Sequence, residues 1–173
     1  MSSHLEKIRF SEIALSDISF EENTDINTFM IIDACSEPSV PPKMQSLGPA
    51  AESLWQGDAQ RDFWSIAPYL AKGTRGLLEW AQENLESTTW GVLVESSQSS
   101  ISLRRHLRTF LSARLPDGRE TYFRFYDPRV LPDFVETCPE DDLNKFFRPI
   151  HRLYCPVGVE LFSCMQLVNP RSR

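Results

Sequence analysis

The stretch TTWGVLVESSQSSISLRRHLRTFL (residues 88–111) decides the fold, because a strand pattern passes directly into a helix pattern within it. Its first part, 88–96, is a short apolar run rich in β-branched and aromatic side chains, which is typical of a central strand. In the second part, Leu103, Leu107, Phe110 and Leu111 recur at helical spacing after serines that suit an N-cap. A strand followed by an amphipathic helix predicts a sheet with helices packed on it.

The remaining segments extend this pattern in both directions. NTFMIIDA (27–34) predicts a buried strand, TRGLLEWAQENL (74–85) predicts a helix, and Asp117-Gly118 predicts a hairpin turn. The sequence therefore predicts a single mixed α/β (α+β) domain with one central sheet and flanking helices. We expect an N-terminal arm over 1–26, the domain over 27–155, and a C-terminal strand or tail over 156–173 that packs on the domain or on a partner.

Length and composition indicate an ordinary globular domain, with 173 residues and a net charge of −6. No apolar run approaches the ~20 residues of a membrane span. The first residues lack a signal-peptide pattern, so we expect a cytoplasmic protein with free thiols. Cysteines at 35, 138, 155 and 164 form no close pair, and no zinc site is expected. The negative charge argues against a dedicated nucleic-acid binder.

Basic charge is concentrated in the middle of the chain. Residues 99–130 carry seven arginines against three carboxylates, whereas 1–98 carry six basic and fifteen acidic groups. This basic segment fits a protein-docking face, a set of internal salt bridges, or a single-stranded nucleic-acid face, and the sequence leaves all three open. In the predicted second strand of the hairpin, Tyr122, Arg124 and Tyr126 share one face, and Phe123 and Phe125 share the other. The candidate partner-binding residues are Arg104, Arg105, Arg108, Tyr122, Arg124, Tyr126 and Arg129.

Asp127 is the carboxylate that best suits a catalytic role, held between Arg124 and Arg129. The simpler interpretation is a helix N-cap, with Pro128 at the first helical position. Thr137 and Glu140 have the spacing of a capping box for a following helix. His106 lies between arginines on the predicted helix and is expected to be a surface or boundary residue, not a catalytic base. A pairing of Cys138 with His151 has no support from spacing.

Motifs for nucleotide, metal and hydrolase chemistry are missing from the sequence, which contains no GxGxxG, GxxxxGK[ST], HExxH or GxSxG. We therefore expect no catalytic residues, no cofactor and no metal, and we expect that the chain is not an enzyme.

Six segments in order, MIIDAC, LWQG, IAPYL, the 88–111 stretch, DGRETYFRFYDPRVLPDFVETC and FFRPI, resemble the domain of type VI secretion effector adaptor-chaperones, the Tap or Tec adaptors. The residues of the shared structural motif are Asp33, Trp90, Gly91, Asp127 and Pro128. From the resemblance we expect the chain to lack the long C-terminal extension that many members of that family carry.

The resemblance implies a cytoplasmic protein of Gram-negative bacteria that binds a toxic effector and promotes its loading onto the VgrG spike. The binding surface is expected at the helix 99–111 and the corner 120–131, around an apolar groove rimmed by charge. Two alternatives remain at this point. One is a metal-dependent phosphodiesterase or nuclease built on Asp127, Arg124 and His106, and the other is an immunity protein that neutralises a toxin by binding it.

Overall fold

A seven-stranded antiparallel sheet forms the centre of the protein, and six α-helices accompany it in the part of the chain that the structure describes. This part comprises residues 8–21, 25–35, 37–86 and 89–167 of the computed structural model. The predicted mixed α/β fold with one central sheet is confirmed. The strands of the sheet are β1 (Ile8–Ala14), β2 (Asn27–Asp33), β3 (Ala51–Ser53), β4 (Pro68–Lys72), β5 (Gly91–Ser96), β8 (Arg152–Pro156) and β9 (Leu161–Leu167).

Sequence order and spatial order differ in this sheet. The strands lie in the order β1-β9-β8-β5-β2-β4-β3, so β2 pairs with both β4 and β5. The two ends of the described chain meet at one edge, where β1 pairs with β9 from Ile8 opposite Leu167 to Ala14 opposite Leu161. A separate hairpin, β6 (Ser112–Arg114) with β7 (Glu120–Tyr122), follows the predicted turn.

Both faces of the central strands are buried, which explains why β2 is apolar throughout. Side chains alternate across a strand, so Phe29 and Ile31 enter one core while Met30 and Ile32 enter the other. Strand β5 behaves in the same way, with Val92 in the first core and Leu93 in the second. Apolar and polar residues alternate along a strand only where one face of the sheet meets water, and neither face of β2 or β5 does.

Helices cover the two faces unequally. On one face lie α1 (Val40–Ser46) and α3 (Arg75–Asn84), and on the other lie α4 (Ser100–Arg108), α5 (Leu131–Thr137) and α6 (Glu140–Phe147). Thr74 caps α3 by accepting the Leu77 N–H, and Ser99 caps α4 by accepting the Ser102 N–H. The sixth helix, α2 (Gly57–Phe63), differs from the others because none of its residues is buried.

Gly91 lets β5 approach β2 closely. Its φ is +152°, and a Cβ built there would lie 1.8 Å from the carbonyl oxygen of Ile31. Trp90 beside it is buried in the second core, and its carbonyl oxygen accepts the Asp33 N–H at 2.9 Å. Glycine is therefore required for the pairing at this point.

Three local predictions for the 120–140 segment are wrong. Strand β7 ends at Tyr122, so Tyr122, Arg124 and Tyr126 do not share a strand face, and Tyr126 turns into the core. Helix α5 begins at Leu131 and not at Asp127-Pro128, because the Asp127 side chain accepts the Arg129 N–H and forms a turn instead.

Pro132 lies in the first turn of α5, where a missing N–H costs no hydrogen bond. The predicted capping box is also absent. Thr137 ends α5 and its hydroxyl donates to the Asp133 carbonyl oxygen, while Pro139 occupies the N-cap position of α6.

Other predictions fall partly outside the described residues. Within the predicted arm 1–26, residues 8–14 form β1, and 1–7 and 22–24 lie outside the description, as does the tail 168–173. The domain boundaries stay a prediction.

Candidate functional site

Asp33 and Arg124 connect the end of β2 to the corner that follows β7. A terminal nitrogen of Arg124 donates to Oδ2 of Asp33, while Oδ1 accepts the Cys35 N–H at 3.0 Å. Asp33 is buried and Arg124 is about one third exposed. This contact joins residues 91 positions apart and ties the corner to the sheet.

Asp127 is held by the other arginine of the corner. Arg129 donates through its backbone N–H and Nε to Oδ1, at 2.9 and 3.0 Å, and through a terminal nitrogen to Oδ2 at 2.7 Å. The geometry is bidentate, which is the strong form of an arginine–carboxylate pair. Arg124 lies 3.9 Å from the same Oδ2. Asp127 is thus a buried carboxylate inside a charged network.

The pKa values of Asp33 and Asp127 are shifted in opposite directions from that of an ordinary aspartate. Burial is the largest influence on Asp33 and raises its pKa, although the Cys35 N–H and Arg124 act in the opposite direction. Burial also pushes the pKa of Asp127 upward, but the hydrogen bonds and the charge of Arg129 outweigh it and lower the pKa overall. Asp127 is therefore the carboxylate whose ionised form the fold favours.

Two tyrosines and a tryptophan form a chain of hydrogen bonds beside this network. Trp55 Nε1 donates to the Tyr122 hydroxyl oxygen at 2.7 Å, and the hydroxyls of Tyr122 and Tyr126 lie 3.1 Å apart. Burial raises the pKa of both phenols, so each keeps its proton at neutral pH. Tyr126 is buried, whereas Tyr122 is 44% exposed and packs edge-on against Trp55.

The α4 arginines have three different environments. Arg104 forms an ion pair with Glu52 of β3. Arg108 donates to the carbonyl oxygens of Ser53, Leu54 and Trp55 and to the side-chain oxygen of Gln56, at 2.8 to 3.2 Å. Arg105 is exposed. Arginine suits the role of Arg108, because its planar guanidinium group donates several hydrogen bonds in fixed directions.

The predicted partner-binding residues are therefore brought into two groups that adjoin each other. Arg104 and Arg108 bind the β3 edge. Arg124 binds Asp33 at the end of β2, and Arg129 binds Asp127 in the corner. Trp55 links the groups, since its side chain contacts Tyr122 and its backbone contacts Arg108. Of the seven predicted residues, Arg105, Tyr122 and Arg129 are exposed, while Tyr126 belongs to the core.

Sequence reasoning missed Glu52, Trp55 and Gln56 as partners of this surface. Their contacts with Arg104, Tyr122 and Arg108 cross more than 50 positions of sequence, and no local pattern signals such pairs.

Of the histidines that the structure describes, His106 and His151 both bond to groups outside the Asp127 network. His106 Nε2 donates to the Phe146 carbonyl oxygen at 2.9 Å, and its ring packs on Phe110. Burial lowers the pKa of His106 and favours the neutral ring. His151 lies 3.2 Å from the Ser97 hydroxyl, while Cys138 is buried and its pKa is raised to about 11. His4 lies outside the described residues.

Two wider features complete the description. Within 8–21, 25–35, 37–86 and 89–167, no group of three or more histidine, cysteine, aspartate or glutamate side chains is placed to hold a metal ion. Among the described helices, none is long and apolar enough to cross a membrane.

The fold and the paired charges define a single-domain mixed α/β protein whose arginine-rich corner is built from internal ion pairs. A family model described as Domain of unknown function (DUF4123) matches residues 28–145. The match covers more than half of the chain, and the chain belongs to this family. No curated protein and no solved structure matches it.

Proposed function

We propose that this chain is a cytoplasmic, non-enzymatic adaptor-chaperone that binds a type VI secretion effector and promotes its loading onto the VgrG spike. The observation that carries the proposal is the family match over 28–145, which contains the WGVLVES, LRRHLRTFL and FRFYDPRVL segments of the resemblance. Membership in this family is compatible with an adaptor role.

The positions of the motif residues support a scaffold for binding. Trp90 and Gly91 set the packing of β5 on β2, and Asp33 and Asp127 hold the two arginines of the corner. These residues fix the shape of the molecule. The side chains left at the surface beside them, such as Tyr122 and Arg105, are of types enriched at protein interfaces.

The geometry favours binding over the enzymatic alternative built on Asp127, Arg124 and His106. Both oxygens of Asp127 accept hydrogen bonds from Arg129, and its pKa is lowered, which makes it a weak base. His106 is bonded to a backbone carbonyl oxygen in the α6 region. Asp127 is thus engaged by Arg129 and Nε2 of His106 by the Phe146 carbonyl oxygen, which supports a structural role for both residues.

An adaptor must release its cargo after delivery. A mixed interface of moderate area, with an apolar centre and a polar rim, gives specific but reversible binding. The exposed aromatic and arginine side chains of this surface suit such an interface.

Affinity co-purification tests the proposal. A tagged chain is co-expressed with the effector and the VgrG protein encoded in the same gene cluster, and we expect the effector to co-purify and VgrG to join the complex. If neither protein co-purifies, the proposal is wrong. If the chain binds the toxin, abolishes its toxicity and leaves loading unchanged when deleted, it is an immunity protein instead.

A further inference from the structure

Helix α2 and the 3-10 helix after it (Trp64–Ile66) lie on the surface, where the Tyr69 hydroxyl donates to the Trp64 carbonyl oxygen. No residue in either helix is buried, even though three of them are large and apolar: Phe63, Trp64 and Ile66 are 54, 44 and 44% exposed. A surface helix normally turns its apolar side chains toward the core. Neighbouring exposed apolar side chains of this size are typical of an interaction site.

A groove of about 460 Å³ runs along one side of α2. We call it the α2 groove, and its lining is mainly apolar, with Leu54, Ala59, Phe63, Leu111 and Tyr122 around Trp55. In this lining Leu54 belongs to the core and Arg108 to α4, whereas Ala59 and Phe63 are supplied by the exposed helix. An apolar side chain from a partner would therefore be enclosed on both sides.

One end of the α2 groove is basic. Gln56 and Arg108 line both this groove and an adjoining hollow, which adds Ile101, Arg104 and Arg105. Three guanidinium groups line this hollow, and within the described residues the carboxylate that pairs with one of them is Glu52, bonded to Arg104. The acceptors bonded to Arg108 are neutral oxygens, so its charge is not cancelled by them.

The acidic groups of α2 itself do not neutralise this end. Asp58 and Asp62 both bond to Arg61, at 3.0 and 2.9 Å. Arg61 lines a different hollow, on the other side of α2. The α2 groove thus presents an apolar floor next to an excess of positive charge.

We propose that the α2 groove binds a segment of the effector in which large apolar side chains stand next to a carboxylate. The apolar side chains would lie between Phe63 and Tyr122, and the carboxylate would face Arg105 and Arg108. Charge complementarity selects this occupant, and aromatic and arginine anchors are the residue types that dominate protein interfaces. The inference rests on the proposed adaptor function, because it assigns the segment to the effector.

Calorimetric titration of the purified full chain with the effector from the same gene cluster tests the inference. Phe63→Asp changes an exposed side chain in the α2 groove, and Arg105→Glu changes an exposed side chain in the adjoining basic hollow. Phe63→Ala serves as a milder variant. Val159→Asp and Arg9→Glu are the matched controls, since Val159 is exposed on the β8–β9 turn and Arg9 is exposed on β1 at the opposite edge of the sheet.

We expect the groove variants to weaken effector binding at least tenfold while the controls stay within twofold, with unchanged melting temperatures. Binding of the wild-type chain should also weaken as salt rises, and this dependence should be smaller for Arg105→Gln than for Phe63→Ala. Equal affinities for all variants would show that the α2 groove does not bind the effector, and the proposed adaptor function would be unaffected. Absence of binding by the wild-type chain would overturn both.

Light scattering adds a further outcome. If the wild-type chain is a dimer that Phe63→Asp converts to a monomer without weakening effector binding, the α2 groove holds a second copy of the chain and the inference is wrong.

Discussion

Arg124 donates a hydrogen bond to the carboxylate of Asp33, which precedes it by 91 positions and ends the central strand β2. The same guanidinium lies 3.9 Å from Asp127, so one arginine stands between two buried carboxylates. This relationship holds the corner after the β6–β7 hairpin against the sheet. The FRFYDPRVL segment is in this respect a structural device that positions the neighbouring surface.

Replacing Arg124 tests the strength of this connection. We expect Arg124→Gln to lower the free energy of unfolding by about 1–2 kcal/mol, because the buried Asp33 carboxylate would keep only the Cys35 N–H as a donor. The loss is not larger because Arg124 is partly exposed and solvent already weakens the ion pair. Urea unfolding measures it. In a double-mutant cycle with Asp33→Asn, the two losses should be less than additive, and simple additivity would show that the residues do not interact.

Removing Asp127 should destabilise the fold in a pH-dependent manner. Asp127→Ala loses the turn hydrogen bonds and should cost ~1 kcal/mol at pH 7. The lowered pKa means that the stabilisation is present above the ordinary aspartate pKa of ~4 and is lost as the pH falls through the lower folded value. The difference from wild type should therefore shrink below about pH 4.

The control for this prediction is Asp133→Ala, because Asp133 is an exposed aspartate of α5. We expect a change of less than about 0.5 kcal/mol there. A loss of effector binding by Asp127→Ala at an unchanged melting temperature would contradict the structural role given to Asp127.

His106 should make the protein sensitive to mild acid. Its pKa is lowered by burial, so the folded state favours the neutral ring, and stability should fall as the pH drops below the unfolded value of ~6.5. The Nε2–H bond to Phe146 is compatible with the neutral form. Thermal unfolding at pH 7.5 and 5.5 should show a smaller difference for His106→Gln than for wild type, and equal differences would contradict the assignment.

Gly91 and Gly76 should respond in opposite directions to the same substitution. Gly91→Ala places a Cβ against the Ile31 carbonyl oxygen at a positive φ, and we expect a loss of about 3 kcal/mol or more. Gly76→Ala lies in α3 with nothing within 4 Å and should stabilise the protein by about 0.5 kcal/mol. A tolerated Gly91→Ala would mean that β5 and β2 pair differently.

Much of the fold can be predicted from local sequence. Strands β2 and β5 are continuous apolar runs because both of their faces are covered, and the apolar stripe of α4 begins just after its serine cap. These signals depend only on side chains near each other in sequence. They are strong because burial acts on every second or third residue of the element.

The features that the sequence did not predict depend on contacts between residues far apart in the chain, or lie in a helix with no buried residues. Helix α2 buries none of its residues, so its sequence carries no apolar stripe from which a helix could be predicted. Tyr126 is buried because the chain turns after Tyr122, and continued alternation would have placed it outside. The pairing of β1 with β9 joins the two ends of the described chain, and no local pattern encodes it.

Secretion of the effector by cells that lack this chain tests the adaptor function most directly. We expect deletion of the gene to abolish type VI export of the effector, and we expect the wild-type chain and the Arg9→Glu control to restore it while a Phe63→Asp/Arg105→Glu variant does not. Undiminished export from the deletion strain would contradict the adaptor function.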